Sequence, residues 1–183
     1  MKRALLILSR GFEEIEAVTP LDLLRRAGLE VVSASAGAGL LVEGGRGVRV
    51  QADRMLDECL SQRFDMVILP GGPGVDDLRK DARVLDLVRR AHGDGVALAA
   101  ICAATVILAD AGVASGHVVT SFPSRKEELQ GRVKAYSEQR VVQDGKVITS
   151  RGAGSSEEFA LNLIAFLLGP VAAQEVRARI VAR

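Results

Sequence analysis

Cys102 stands where the apolar run Val96 to Ile101 gives way to a helical segment beginning near Ala103, with small residues Ala100 and Ala104 two positions to either side. A sharp strand-to-helix turn lifts its central side chain out of the sheet, needs small neighbours to do so, and often strains the backbone. The helix N-terminus behind it offers unpaired amides and a positive dipole end, both of which favour a thiolate, so a lowered thiol pKa is expected. Read alone, the same cysteine is equally well a small buried hydrophobe, which is what most free cysteines are. A second apolar run ends in Leu69-Pro70-Gly71-Gly72-Pro73-Gly74. With no side chains in the way, the amides of Gly71 and Gly72 are suited to half of an oxyanion pocket, and the amide of Ala103 can supply the other half. Taken by itself this run is also an ordinary strand-to-helix turn.

A nucleophile needs a proton acceptor, and three carboxylates crowd into the segment after the first apolar run: Glu13, Glu14 and Glu16. Their repulsion has to be relieved by solvent, by a partner or by a helix N-terminus. Glu13 and Glu14 fit a solvated helix start. Glu16, set between Ile15 and Ala17, is the one that can face a crevice. Thr19-Pro20-Leu21-Asp22 matches a capping box with proline at the first helical position, which predicts that a helix restarts or kinks there. If the helix instead runs through from Glu13, Pro20 leaves the carbonyl of Glu16 unpaired. The usual histidine partner of a catalytic cysteine is missing. His92 closes a charged helix before Gly93, and His117 precedes a strand at its amino end, on the wrong side of the sheet. Cys59 belongs to a packed helix face over Met55 to Ser61. Ser155 with Glu158 forms a second capping-box pattern, after a loop, Ser150 to Gly154, that can wall the crevice.

The elements that must position these residues follow from hydrophobic periodicity. Ala4 to Ser9, Glu30 to Ser35, Met66 to Leu69, Val96 to Ile101, Val118 to Thr120 and Lys146 to Ser150 are short Val/Ile/Leu-rich runs, the signature of strands buried on both faces. Leu21 to Ala27, Val84 to Ala91, Ala103 to Ala111 and Glu157 to Leu168 carry apolar residues at helical spacing and end at Gly28, Gly93, Gly112 and Gly169. Gly37 to Gly47 reads as a turn or a short hairpin, and Val141 to Ile148, around Asp144-Gly145, as another hairpin. Strands alternating with helices imply an α/β fold, a doubly wound, mostly parallel sheet sandwiched by helices, formed as one domain over residues 1–183. Ligands of such sheets bind beyond the carboxyl ends of the strands, where Cys102, Gly72 and Glu16 all fall.

Composition narrows the function classes. Lys+Arg 24 against Asp+Glu 23 gives a net charge of +1, so no nucleic-acid or anionic-membrane footprint is visible. Two distant cysteines without CxxC spacing suggest neither a disulfide framework nor a zinc site, and fit a reducing compartment such as the cytoplasm. The apolar start, Ala4 to Leu8, stops at Ser9-Arg10-Gly11, is too short for a signal peptide, and reads as a buried first strand.

Taken together, Gly11-Phe12-Glu13-Glu14-Ile15-Glu16, Leu69-Pro70-Gly71-Gly72, Ala99-Ala100-Ile101-Cys102-Ala103 and Thr149-Ser150-Arg151-Gly152-Ala153-Gly154 resemble the ThiJ/PfpI superfamily, in order and over essentially the whole chain. The pattern is that of the branch of the Parkinson-disease protein DJ-one and bacterial YajL. The resemblance implies a flavodoxin-like sandwich, a homodimer, no cofactor and no metal. It makes Cys102 an oxidation-sensitive nucleophile, Glu16 the protonated carboxyl that hydrogen-bonds it and shuttles its proton, and Gly72 and Ala103 the oxyanion pocket. It implies action on small reactive carbonyl compounds or glycated protein side chains, as a glyoxalase or deglycase, or else a redox sensor or chaperone whose cysteine becomes a sulfinate. Arg25, Arg26 and Arg46 match positions where the family often places dimer-interface arginines. One position departs: Phe122 stands before Pro123 where some relatives carry a histidine, which leaves Glu16 as the one evident general base. Ala103 directly after the nucleophile argues against the peptidase branch. The downstream histidine–glutamate pair of glutamine amidotransferases is not found.

Overall fold

Strand β1 (Arg3–Leu8) sends Leu5 and Ile7 into one apolar core and Ala4, Leu6 and Leu8 into another. An unbroken apolar run is what a strand needs when both of its faces are covered. The computed structural model describes residues 1–182 and gives the reason for that double burial. Strands β2 (Glu30–Ser35), β5 (Arg54–Met55), β6 (Met66–Leu69), β7 (Ala97–Ile101), β10 (Val141–Asp144) and β11 (Val147–Ser150) join β1 in a seven-stranded sheet of order β10-β11-β7-β6-β1-β2-β5. Every pairing in it is parallel except that of β10 with β11. Helices α1 (Glu14–Arg26), α7 (Ser156–Leu168) and α8 (Pro170–Arg179) cover one face. Helices α2 (Leu56–Cys59), α3 (Val75–Leu78), α4 (Ala82–Gly93), α5 (Thr105–Asp110) and α6 (Lys126–Leu129) cover the other. This is the doubly wound, flavodoxin-like sheet expected. From β1 the chain moves outward to β2 on one side and later to β6 on the other, so the topological switch lies between β1 and β6, beside the end of β7.

Several local readings are corrected. Helix α1 does not restart at Thr19-Pro20. It begins at Glu14, capped by the Glu13 carboxylate, which accepts from the Glu16 amide at 2.8 Å, and runs through Pro20. Asp22 does not close a capping box but pairs with Arg26 at 2.7 Å. Burial of Pro20, Leu23 and Leu24 against the sheet outweighs the missing amide. The run Val118 to Thr120 is not part of the main sheet: β8 (Val118–Val119) pairs with β9 (Ala135–Tyr136) in a separate ladder. The early hairpin is formed by β3 (Leu41–Glu43) and β4 (Arg49–Gln51), slightly later than the glycine content suggests. Gly93 stays helical and the left-handed residue is Gly95 (φ 70°). The Ser155/Glu158 box is absent, because Ser155 Oγ bonds Ser150 Oγ (2.7 Å) and the Gly152 carbonyl (2.8 Å), while Glu158 pairs with Arg140. Cys59 is fully buried, as its packed face predicts.

Candidate active site

Residues from four strand ends meet at the switch point. Cys102 follows β7 directly and adopts φ 63°, one of two non-glycine residues among those described with positive φ. A left-handed cysteine costs on the order of 1–2 kcal/mol and persists only where its surroundings impose it. Ala103 and Ala104, both buried, supply the small neighbours the elbow requires. The helix behind is a 3₁₀ turn, Cys102–Ala104, running into α5. Gly72 (φ 105°) turns the chain after β6 so closely against the β1–α1 loop that a Cβ there would overlap the Glu13 amide nitrogen and the Gly11 carbonyl oxygen.

Glu16 reaches the elbow from the first turn of α1 and is 1% exposed. Its Oε2 accepts from the Gly71 amide at 2.9 Å, and its carboxylate also takes hydrogen bonds from the Ala153 amide and from Cys102. A Cβ on Gly71 would overlap Glu16 Oε2 and come within 2.7 Å of Cys102 Cβ. Glycine at 71 is therefore what lets the carboxylate lie against the sulfur. The amides of Gly72 and Ala103 both hydrogen-bond the Cys102 sulfur. Cys102, Glu16, Gly72 and Ala103 are thus brought together as the sequence predicts. Gly71 and Ala153, which hold the carboxylate, are additions: the glycine pair was legible, but not which amide served which group. Gly152 and Phe122 form the adjoining wall, the ring 3.5 Å and Glu16 Oε1 3.8 Å from where a Gly152 Cβ would stand. His92 and His117 pack edge to face at 5.7 Å, with His92 ahead of the amino end of β7, and do not join the site.

The charge state differs from the sequence expectation. Burial pushes Glu16 up to about 7, aided by the charge of Glu13, while the Cys102 hydrogen bond and the Gly71 and Ala153 amides pull it back. Cys102 is not lowered: burial and then the charge of Glu16 push it up to about 12, against the amides of Ala103 and Gly72. The promised dipole is short, because a 3₁₀ turn and a six-residue α5 stand behind the elbow. The two groups titrate as one unit that loses its first proton near pH 7. The remaining proton then rests mainly on the Cys102 sulfur; its transfer to Glu16 leaves a thiolate beside the amides of Gly72 and Ala103 and the carboxyl O–H.

Fold and site together define a flavodoxin-like protein with a cysteine elbow and a carboxyl partner. The DJ-1/PfpI family model matches residues 2–166, and the chain belongs to that family. It is 42% identical to Protein dj-1beta of Drosophila melanogaster over 176 residues, covering 96% of this chain and 94% of that one. The crystal structure of Drosophila DJ-1beta superposes with a TM-score of 0.96 at 41% identity, covering 100% of this chain and 98% of that one. An oxidised DJ-1 of Toxoplasma gondii superposes at 0.95, with 33% identity and 100% and 99% coverage. A Caenorhabditis elegans relative named glutathione-independent glyoxalase DJR-1.2 is 33% identical over 170 residues, 92% of this chain and 90% of its own length.

Proposed function

We propose that this protein is a cofactor-free, cysteine-dependent enzyme of carbonyl stress in the cytoplasm, converting 2-oxoaldehydes such as methylglyoxal to hydroxy acids and acting on early glycation adducts of protein side chains. The observation that carries the reading is the strained Cys102 in hydrogen-bonded contact with a buried carboxyl that holds its proton up to about pH 7. Two free thiols, Cys59 and Cys102, suit a reducing compartment. The glyoxalase name of the C. elegans relative supports the substrate class.

The Cys102 thiolate adds to the aldehyde carbon, and the carbonyl oxygen takes the negative charge beside the amides of Gly72 and Ala103, then a proton from Glu16. The Glu16 carboxylate next removes the proton from that carbon and returns it to the neighbouring carbon, while the hydroxyl proton passes to the neighbouring ketone oxygen, which turns the hemithioacetal into a hydroxyacyl thioester. Water cleaves the thioester, releasing the hydroxy acid and restoring the thiol. The sum is addition of one water, with no outside oxidant or reductant. Incubated with many equivalents of methylglyoxal, the reduced protein is expected to form lactate well beyond one equivalent. A reaction that stops at one adduct per Cys102 overturns the enzyme reading. That outcome favours a second one, a redox sensor or chaperone in which Cys102 is oxidised to a sulfinate held by Glu16. Phe122, in place of a second base, and the oxidised Toxoplasma relative make it a specific alternative.

The working form in this proposal is a homodimer. Ile15 (54% exposed) and Val18 (42%) lie on the outer side of α1, and Val48 is exposed in the neighbouring hairpin, whose Arg46 amide donates to Glu14. An exposed apolar face of this kind suits a self-complementary contact. Arg25 and Arg26 are committed within the chain, to Asp53 and Asp22, whereas Arg46 extends from that face with one long bond to the Gly45 carbonyl, 3.4 Å. Light scattering is expected to give twice 19.4 kDa, and Val18→Glu to give the monomer mass; a wild-type monomer removes the proposal.

A further inference from the structure

Phe122 is an exposed aromatic ring (46%) at the mouth of the crevice, and its backbone is tied to the elbow itself: its amide donates to the Cys102 carbonyl at 3.2 Å. The strap that carries the ring continues into a 3₁₀ turn, Pro123–Arg125, in which the Arg125 amide donates to the Phe122 carbonyl at 2.9 Å. The Arg125 guanidinium then reaches across to Asp76 of α3, the helix that follows the Gly72 turn, at 2.8 Å, and grips Glu128 of α6 at 2.6 Å. Glu128 is bonded in turn to Arg79 at 2.7 Å, and Arg79 to Asp110 at the end of α5 at 2.6 Å. Each of these segments descends from one wall of the site: α3 from Gly72, α5 from Cys102, α6 from Phe122. Arg79 and Asp110 are both largely shielded, so their pair escapes much of the screening that makes surface pairs worth little, whereas Arg125 is shielded and its partner Asp76 is more than half exposed. They form a network, where concerted loss costs more than the pairs taken singly.

We propose that Phe122 sets the size limit on molecules reaching Cys102, and that Arg125, through Asp76 and Glu128, is the positioning residue that holds it there. The inference rests on Cys102 being the reacting atom and is independent of whether the protein turns over glyoxals. An aromatic ring at the mouth of the crevice admits small carbonyl compounds, and the small carbonyl end of an adduct, more readily than bulky groups. Opening the strap relaxes that discrimination without touching the sulfur, Glu16 or the two amides.

The test is alkylation of Cys102 in the full-length protein, with Cys59 fully buried and silent, by iodoacetamide and by a pyrene maleimide. Phe122→Ala is expected to raise the maleimide rate by roughly tenfold or more while changing the iodoacetamide rate by less than about threefold. Arg125→Gln is expected to raise the maleimide rate in the same direction, with Arg125→Lys, which keeps the charge but loses the fork, falling between. Asp76→Asn breaks the same bond from the more exposed side and is the variant to use if Arg125→Gln does not fold. Equal acceleration of both reagents by Phe122→Ala, or no change, overturns the size limit. An unchanged maleimide rate in folded Arg125→Gln and Asp76→Asn overturns the positioning role. Failure of lactate formation in the wild type with these alkylation results intact would remove the enzyme reading and leave this one standing.

Discussion

Glutamine in place of Glu16 is expected to move the pH midpoint of Cys102 alkylation upward by about one unit or more, which is a tenfold or larger loss of reactivity at pH 7. In the wild type the pair gives up its first proton near pH 7, so the rate of reaction with iodoacetamide rises through that pH. Below it both groups are protonated and the sulfur is a thiol. Above it the pair carries one negative charge, mainly on Glu16, and the minor form with the proton on Glu16 presents a thiolate. Glutamine cannot accept the proton, so the thiol must ionise alone, in a buried site that holds it above its ordinary value. Removing the carboxylate takes away two of the causes that lift Cys102 to about 12, its charge and its hydrogen bond, but burial, the largest of them, remains. Methylglyoxal turnover is expected to fall further than alkylation, because glutamine also cannot carry the proton between substrate carbons. Serine at 102 is expected to abolish both. An unshifted alkylation profile in Glu16→Gln would mean that the Gly72 and Ala103 amides alone generate the thiolate, and the carboxyl would lose its role as proton acceptor.

How far the site was legible depended on whether the information was local. Cys102 could be found because an elbow needs small residues on both sides, and Ala100, Ala103 and Ala104 are adjacent in sequence. Glu16 stood out from Glu13 and Glu14 because Ile15 and Ala17 flank it. The strands were legible because burial on both faces leaves an unbroken apolar run, which is why Met66–Leu69 and Glu30–Ser35 agree to the residue. What failed was decided by tertiary contact. Pro20 leaves both a restart and a helix running through it open locally, and the packing of α1 against the sheet decides for the second. Val118 and Val119 look like a core strand, yet their partner is the short segment Ala135–Tyr136. The amide of Gly71 serves a carboxylate 55 positions away and that of Gly72 a sulfur 30 positions on, a division invisible in a Gly-Gly pair. The thiol pKa was misjudged for the same reason. A helix N-terminus is visible in sequence, whereas the burial and the neighbouring charge that outweigh it are not.

Stability should carry the mark of the same carboxyl. A carboxyl whose folded-state value is raised from 4.5 to about 7 keeps its proton in the native protein at pH values where the unfolded chain has already lost it. The native state then binds more protons between about pH 4.5 and 7, so unfolding free energy falls as pH rises through that window and levels off above it. At about 1.4 kcal/mol per unit, the loss attributable to Glu16 is on the order of 3 kcal/mol between pH 4.5 and pH 8. Cys102 adds nothing of the same kind below pH 8, since the ordinary thiol value is 9.0 and the folded one is higher. Glu16→Gln removes the titration while keeping the volume and leaves an amide oxygen to accept from Gly71. Urea denaturation of both proteins at pH 5 and pH 8 is expected to show the wild type losing roughly 2 to 3 kcal/mol more than the variant across that interval, with other titrations common to both. The variant should therefore gain on the wild type as pH rises and can overtake it by pH 8. Parallel pH dependence in the two proteins would mean that Glu16 is ionised at an ordinary carboxylate pH despite its burial, and the shared-proton account of Cys102 would fall with it. The opposite sign, a wild type that gains on the variant at alkaline pH, would mean that the amides of Gly71 and Ala153 stabilise the carboxylate by more than burial costs it.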